Sequence, residues 1–522
     1  MKHILGWFLL ILVLGCTQET LPPVDITYDV KIENARVVDG TGAEAFQGSI
    51  LINDGFIVYA GSSELSGYNA KESIDAKGRV VAPGFIDPHA HGNAEVDPAF
   101  RNFWSMGVTT IFLGLDGSSP GIANLPEWME KVQQANPGVN IAHTVGHGTA
   151  RRYSGIGLQR NPDNTQLDSL AHIIDTQLRD GSFGVSTGIE YIPGVFANRE
   201  ELAVVAEVVS QYDGLILSHI RNEDEDQVSN SIRELIQMGR EGNARVHVSH
   251  IKVVFGNEVD DANRVIAVMD SARAAGVAIT ADVYPYAASY TGIGILYPDW
   301  ALPPNNFKEV VQTRRPELAQ YLRERVQRRN GPTATLIGTA PWTGKTLAQI
   351  AEELDKPFED VLIDHLPPGS ASGAYFVMNM DVMRQLLLDP HVMVSSDGSP
   401  TMEHPRGYGS FARIIRQFVE EEGVLSLEEA IYKMTGQTAE LLGIDQARGV
   451  SDALNFAPRG ILKPGFAADV LVFNPSNIVD KAVYEEPHQY AIGFDYVIIN
   501  GEIVQQEGEF TGTRPGIMLK KR

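Results

Sequence analysis

The stretch RVVAPGFIDPHAHG, residues 79–92, determines how the fold is interpreted. It begins as an apolar run, which is typical of a buried strand, and it ends in His89 and His91. Successive side chains of a strand point to opposite faces, so these two imidazoles share a face. Two histidines on one face at the end of a buried strand can chelate a metal ion. The alternative is a pair of buried, hydrogen-bonded histidines, so further ligands must come from elsewhere in the chain.

Strand-like and helix-like segments alternate through the middle of the chain. Apolar runs such as GVTTIFLG, GLILSHI, ARVHVSHI and HVMVSSDG are separated by helix-length stretches. This alternation indicates βα units and a parallel sheet. Seven or eight such units, in roughly 360 residues, predict an α/β fold of the TIM (β/α)8 barrel type. A doubly wound sheet is the alternative, although no G-x-G-x-x-G turn follows the early strands.

Strand-rich segments lie at both ends of the chain. The stretches YDVKIENARVVDGTG and FDYVIINGEIVQQEGEF alternate apolar and polar residues, with turn glycines. We predict that residues 28–82 and 455–515 form one small β-sandwich domain and that residues 83–454 form the barrel. Residues 290–344 are rich in Pro, Trp and Arg and lack the alternation, so we predict an inserted lid there.

The N-terminus has the layout of a secretory signal peptide. The stretch MKHILGWFLLILVLGC has one early lysine and an apolar run too short to span a bilayer stably. It ends in Cys16, the only cysteine of the chain, and VLGC resembles a bacterial lipobox. We therefore expect a signal peptide over residues 1–16, lipidation of Cys16 and a tether over residues 17–27. An uncleaved anchor is the alternative.

The expected location is that of an exported bacterial lipoprotein at the periplasmic face of a membrane. Thr17 follows the cysteine, and the lack of an aspartate there favours the outer membrane. The 66 acidic and 42 basic residues give a net charge of −24. Such a balance argues against a nucleic-acid partner and against docking on anionic lipid by charge. Membrane contact is expected only through the lipid anchor, and nothing in the sequence indicates an oligomeric state.

Polar residues end several of the predicted barrel strands. Barrel enzymes place their chemistry at the C-terminal ends of the strands. Each of these residues follows an apolar run: His89, His91, Asp116, His219, His250 and Asp397. Four histidines and two aspartates are the ligand types that a divalent metal ion takes. The sequence therefore predicts a metal centre at this end of the barrel.

Longer motifs run from residue 83 to residue 516: PGFIDPHAH, GVTT, SHIRNE, VSHIK, HPRGYGSF and TGTRPG. With these motifs the chain resembles the amidohydrolase superfamily and, within it, the N-acyl-D-amino-acid deacylase (D-aminoacylase) family. The resemblance implies a barrel with a β domain built from both termini. It also implies a metal centre formed by five of the residues above: His89, His91, His219, His250 and Asp397.

One position departs from the family pattern. The family usually has a cysteine ligand after GVTT, whereas this chain has GLDG, which places Asp116 there. A carboxylate is a harder ligand than a thiolate and can bridge two ions with its two oxygens. We expect Zn²⁺ as one or two ions, with another divalent metal as the alternative. No lysine ends the middle strands, so a carbamylated lysine is not indicated, and Glu190 is expected outside the ligand set.

The activity that the resemblance implies is hydrolysis of a small molecule, an N-acyl-D-amino acid, to a D-amino acid and a carboxylate. Water activated by the metal would attack the amide, and Asp397 would act as general base and then as general acid. The substrate carboxylate needs cationic or hydrogen-bonding partners. The residues expected to bind the substrate are Arg406, Lys252, Tyr284, Tyr191 and Ser289.

Three other functions remain open at this point. A cyclic-amide hydrolase of the hydantoinase or dihydroorotase kind shares the barrel, although a carbamylated lysine is usual there. A peptidase could act on small peptides with a C-terminal D-residue. A lipid-anchored binding protein on a barrel that lost its activity is the third, and it is disfavoured because every expected ligand position holds a competent residue.

Overall fold

The computed structural model describes residues 21–446 and 453–521. The predicted signal peptide, with the lipidation site at Cys16, lies outside the described residues. Within the described part of the chain, no helix is long and apolar enough to cross a membrane.

The strands alternate with helices through the middle of the chain and cluster without helices near both ends. The strands are β1 Thr27–Val37, β2 Phe46–Asn53, β3 Phe56–Gly61, β4 Asn69–Asp75, β5 Val80–Pro83, β6 Phe85–Asp87, β7 Val108–Leu113, β8 Asn140–His143, β9 Val145–Gly146, β10 Gly184–Gly188, β11 Leu215–His219, β12 Arg245–Val248, β13 Ile279–Val283, β14 Ser289–Gly292, β15 Thr335–Ile337, β16 Ser372–Tyr375, β17 Val392–Val394, β18 Val470–Phe473, β19 Phe494–Ile499, β20 Glu502–Gln506 and β21 Glu509–Phe510.

The α-helices begin at local capping signals. The side chains of Asp163 and Ser426, for example, accept the backbone N–H three residues on, and each forms a capping box. The helices are α1 Arg101–Ser105, α2 Leu125–Gln134, α3 His147–Tyr153, α4 Asn164–Arg179, α5 Arg199–Ser210, α6 Val228–Gly242, α7 Val259–Ala274, α8 Phe307–Arg328, α9 Leu347–Glu353, α10 Phe358–His365, α11 Met380–Leu388, α12 Arg406–Arg413, α13 Leu427–Met434 and α14 Gly436–Leu442.

The barrel is a ring of parallel strands. Strands β6, β7 and β8 pair in that order, and β9, which follows β8 after one residue, begins a second series through β10, β11, β12, β13 and β17. A parallel bridge between Ala90 and Gly398 closes the ring next to β6 and β17. Strand β7 is buried along its whole length, as expected for a strand between a barrel interior and outer helices. This arrangement confirms the predicted (β/α)8 barrel, and the doubly wound alternative is wrong.

Both ends of the chain contribute to one nine-stranded sheet. Strands β18 to β21 join β5, β1, β2 and β3, and β4 pairs with β1 as a side branch. Hydrogen bonds thus link the strands of the predicted β-sandwich into a single branched sheet. Side chains alternate along β18: Val470 and Val472 face a small core of the sheet itself, whereas Leu471 and Phe473 join the core of the barrel. This face-to-face packing fixes the sheet against the barrel.

The insertion is longer than the sequence predicts. The sequence predicts an end near residue 344, but β14, β15 and β16 form one antiparallel sheet that reaches Tyr375. An apolar core joins Ile293 to Leu347, Leu362 and Val377, so residues beyond 344 belong to the same unit. Strand β16 has the sequence SGAY, which lacks the alternation of apolar and polar residues that predicts a strand. The role of this insertion as a lid stays a prediction.

Candidate metal centre and substrate cavity

The carboxyl ends of the barrel strands bring the six predicted ligands together. The ligand atoms of His89, His91, Asp116 and Asp397 all lie within 4.8 Å of one another. The ligand atoms of Asp116, His219 and His250 form a second group within the same limit. Asp116 is therefore common to two sets of ligands, each with enough donors to hold a divalent ion.

The two oxygens of Asp116 face different histidines. Its Oδ1 lies 3.4 Å from His89 Nε2 and 3.2 Å from His250 Nε2, and its Oδ2 lies 3.4 Å from His91 Nε2. On the other side of the cluster, His91 Nε2 lies 3.1 Å from Asp397 Oδ1. Asp116 thus contacts histidines of both ligand groups, His89 and His91 of the first and His250 of the second.

Three of these ligands have an unusual backbone conformation. Asp116, His250 and Asp397 have φ angles of 53°, 37° and 47°. Residues other than glycine rarely adopt the left-handed region, and such residues cluster at functional sites where the surroundings hold them. At these residues the chain turns two or three positions beyond the ends of β7, β12 and β17.

Two buried carboxylates hold these turns, and sequence reasoning assigned no role to either. Asp87 accepts hydrogen bonds from the backbone N–H groups of His89 and Ser396, both at 3.1 Å, and so joins the ends of β6 and β17. Burial raises the pKa of Asp87 to about 7. Asp282 accepts the backbone N–H of His250 at 2.8 Å and lies 2.7 Å from His247 Nε2. Each lies two residues before a predicted site residue, a spacing that places both on the same face of a strand.

The residues present fit a bound metal ion. His89 is fully buried, yet neither of its ring nitrogens has a hydrogen-bond partner within the described structure. A buried polar group without a partner is costly, and coordination of a metal ion removes this cost. Burial raises the pKa of Asp116, but the imidazoles of His89 and His250 outweigh burial and hold that pKa well below its usual value. The anionic carboxylates and the imidazoles together suit Zn²⁺.

Two glutamates lie directly against the centre. Glu190, expected outside the ligand set, has its Oε2 2.8 Å from His219 Nε2. Glu223, which sequence reasoning missed, has its Oε1 2.6 Å from Lys252 Nζ and 3.3 Å from His250 Nδ1. Ligand atoms of Glu190, His219 and Glu223 form a third potential metal-binding group. The only available signal for Glu223 was its place in the motif SHIRNE, since loop residues follow no periodic pattern.

All five residues expected to bind the substrate line one cavity of about 460 Å³, together with most of the metal ligands. The Arg406 guanidinium forms an ion pair with Asp397, with 2.9 Å between Nη1 and Oδ2, a contact that the sequence did not indicate. Arg406 Nε is buried without a hydrogen-bond partner. Arg406 Cζ and Lys252 Nζ lie 4.7 and 5.7 Å from the centre of the Tyr284 ring. The five expected residues found in this cavity are Arg406, Lys252, Tyr284, Tyr191 and Ser289.

A second cavity of about 520 Å³ adjoins the first. The two cavities share His91, Asp116 and Tyr191, so the metal centre lies between them. The Tyr191 ring packs on His219 with 4.3 Å between ring centres. The second cavity is lined mainly by residues 113–120 and 191–194, together with Gly188. A ligand can therefore extend from the centre in two directions.

Comparisons with known proteins agree with this architecture. Residues 329–505 match the family described as "Amidohydrolase family". An N-acyl-D-glutamate deacylase of Alcaligenes xylosoxydans xylosoxydans is 29% identical, with 94% of this chain and 96% of the relative covered. A D-aminoacylase of the same organism is also 29% identical, with 95% and 98% covered.

A solved structure gives the same result. The N-acyl-D-glutamate deacylase from Bordetella bronchiseptica, crystallised with zinc and a phosphonate inhibitor, is 29% identical to this chain. The superposition has a TM-score of 0.80 and covers 95% of this chain and 100% of the other. Sequence and structure thus support the predicted placement in the amidohydrolase superfamily and its D-aminoacylase family.

Proposed function

We propose that this amidohydrolase of the D-aminoacylase family hydrolyses N-acyl-D-amino acids to a D-amino acid and a carboxylate. One observation carries the proposal: two histidine–carboxylate groups share Asp116, and they open into a cavity that also holds Arg406 and Lys252. The metal ligands suit attack on an amide, and the two cations suit a substrate that carries a carboxylate. An N-acyl-D-amino acid carries both groups: its amide suits the metal ligands, and its carboxylate suits the two cations.

Zinc is the ion that these residues would hold. When bound, zinc lowers the pKa of water towards neutrality and polarises a carbonyl oxygen. One group of ligands comes from the first and last barrel strands and the turn after β7, and the other adds the two middle strands. The residues of the first group are His89, His91, Asp116 and Asp397, and those of the second are Asp116, His219 and His250.

Asp397 is placed to move the proton. Burial raises its pKa, but the positive charges of Arg406 and His250 outweigh burial and keep the carboxylate ionised. An ionised carboxylate at the centre accepts a proton from the attacking water and delivers it to the leaving nitrogen. Protonation of this nitrogen is required because an unprotonated amine is a poor leaving group.

Arg406 and Lys252 would bind the α-carboxylate of the substrate. The buried Nε of Arg406 is an unused donor, and the planar guanidinium suits a carboxylate. Glu223 orients the Lys252 ammonium by a contact of 2.6 Å. With the α-carboxylate on this side, the acyl group extends into the second cavity, on the other side of the centre.

We also propose where the protein is located in the cell. An exported lipoprotein, anchored through Cys16 on the periplasmic face of the outer membrane, would meet its substrate outside the cytoplasm. The support is the apolar run and the VLGC stretch at the N-terminus.

Asp397→Asn tests the proposed function. In the zinc-loaded protein, the variant is expected to lower kcat for N-acetyl-D-amino acids by at least about 100-fold, because general acid–base catalysis contributes this much. Zinc content is measured in parallel, so that loss of the proton acceptor is distinguished from loss of metal. Asp364→Asn is the matched control, since Asp364 pairs with Arg315 on the surface of the insertion. Full activity of Asp397→Asn, or no hydrolysis by the unchanged protein with zinc bound, would contradict the proposal.

A further inference from the structure

Arg329 is a buried cation in the wall of the substrate cavity. It follows α8 in the insertion, lines the cavity of about 460 Å³ and is only 3% exposed. Its Nε has no hydrogen-bond partner, and no carboxylate of the described residues forms an ion pair with it. Neither the metal centre nor the α-carboxylate site described above uses this guanidinium.

The surroundings of Arg329 make a buried guanidinium without an ion-pair partner costly. Its Cζ lies 5.7 Å from the centre of the Phe255 ring and 5.0 Å from that of Tyr375. Burial, reinforced by the positive charge of Arg325, lowers the pKa of Arg329. Asp224, an acid that also lines this cavity, is already bound to Arg325 at 3.0 Å. A desolvated cation without an anion is strongly unfavourable unless a ligand supplies the negative charge.

A short stretch of sheet connects Arg329 to the α-carboxylate site. Tyr375, on which the Arg329 guanidinium packs, pairs with Ser289 across β14 and β16. The next residue, Tyr290, accepts a hydrogen bond from Arg406 Nη2 at 3.3 Å on its carbonyl oxygen. The two guanidinium groups therefore lie beside the same strand pair and line the same cavity. A ligand that presents one carboxylate to Arg406 can present a second to Arg329.

We propose that Arg329 binds a carboxylate in the side chain of the substrate, so that the preferred substrates are N-acyl derivatives of acidic D-amino acids. The inference rests on the proposed function and narrows its substrate class. A guanidinium binds a carboxylate through two parallel hydrogen bonds. The acids of the cavity are already engaged, Glu190 with His219 and Glu223 with Lys252, so a cationic side chain has no acceptor of this kind.

The test is a substrate panel with the zinc-loaded full-length protein. The kcat/KM is measured for N-acetyl-D-glutamate, N-acetyl-D-aspartate, N-acetyl-D-leucine and N-acetyl-D-lysine. The panel also includes N-succinyl-D-leucine, which places the second carboxylate on the acyl group instead. We expect an acidic substrate to exceed N-acetyl-D-leucine by about 100-fold, because a buried polar site rejects an analogue that leaves it unpaired.

Arg329→Met removes the charge and keeps much of the volume. This variant is expected to reduce the ratio of kcat/KM for N-acetyl-D-glutamate over N-acetyl-D-leucine by about 100-fold. Arg328→Met is the matched control: Arg328 is also packed on Phe255, at 4.9 Å, but pairs with Asp226 and does not line the cavity. Its ratio should stay unchanged. Arg329→Lys keeps the charge but not the paired donors, and it provides a folded variant with a partial loss if the methionine variant does not fold.

Three results would overturn the inference while the proposed function stands. The unchanged protein could prefer N-acetyl-D-leucine or N-acetyl-D-lysine, or the Arg329 and Arg328 variants could have the same substrate ratio. An Arg329-dependent preference for N-succinyl-D-leucine would assign the anion to the acyl group. Hydrolysis of none of these substrates, with zinc bound, would instead contradict the proposed function and the inference together.

Discussion

Replacement of Asp116 by asparagine is expected to separate the two groups of metal ligands. The carboxylate has His89, His91 and His250 within 3.4 Å, with the histidines divided between its two oxygens. Asparagine keeps the size and one oxygen but loses the charge and the second acceptor. Loss of a residue that only orients a metal ligand weakens binding about 10–100-fold. Since Asp116 faces both groups directly, we expect at least about 100-fold weaker zinc binding, or about 2.8 kcal/mol.

The assay is a zinc titration in competition with a chelator, together with metal content after dialysis. The unchanged protein should bind two ions, and Asp116→Asn should retain one at most. Asp116→Cys should recover tight binding of one ion, because a thiolate is a soft ligand that favours zinc. Unchanged affinity and stoichiometry in the asparagine variant would refute the bridging role of this carboxylate.

Three further predictions concern substrate binding, the support of the centre and the pH dependence of folding. Lys252→Met should raise KM for N-acyl-D-amino acids by about tenfold or more, with a smaller change in kcat, because uniform binding of the substrate carboxylate is lost; steady-state kinetics with a fall in kcat alone would contradict this. Asp282→Ala leaves the His250 N–H and the His247 ring without their acceptor, which should cost about 1–3 kcal/mol for each in the free energy of unfolding. Denaturant unfolding measures this loss, and an unchanged midpoint and slope would disprove it. Burial lowers the pKa of His143 from 6.5 to about 4, so between these pH values the unfolded chain binds a proton that the folded chain does not. The contribution of His143 to the free energy of unfolding is thus fully present above pH 6.5, and up to about 3 kcal/mol of it is lost as the pH is lowered towards 4. His143→Gln should flatten this part of the curve of stability against pH.

The barrel and its ligands were predictable because they depend on local patterns. Most barrel strands are short apolar runs, and each predicted ligand ends such a run or follows it within a few residues. In a closed parallel barrel all such ends meet at one rim, so His89 and Asp397 come together although 308 positions separate them in the sequence. No detail of the intervening loops was needed for this conclusion.

Features that depend on packing between distant segments were not predictable. The insertion extends beyond residue 344 because its core combines segments without a shared pattern, among them the short strand β16. Glu223 lies in a loop, and its contact with Lys252 depends on the relative positions of two strand ends. The burial of Arg329 depends on Phe255 and Tyr375, which come from different parts of the chain. Its sequence context, VQRRNG, is that of an ordinary helix end.

The most direct test of the proposed activity compares the two enantiomers of one substrate. The zinc-loaded protein is incubated with N-acetyl-D-glutamate and, separately, with N-acetyl-L-glutamate, and the free amino acid released is measured over time. The same pair is tested for leucine, so that enantiomer preference is measured independently of the side chain. We expect release of the D-amino acid and none of the L-amino acid. Release of the L-amino acid, or of neither, would contradict the proposed activity.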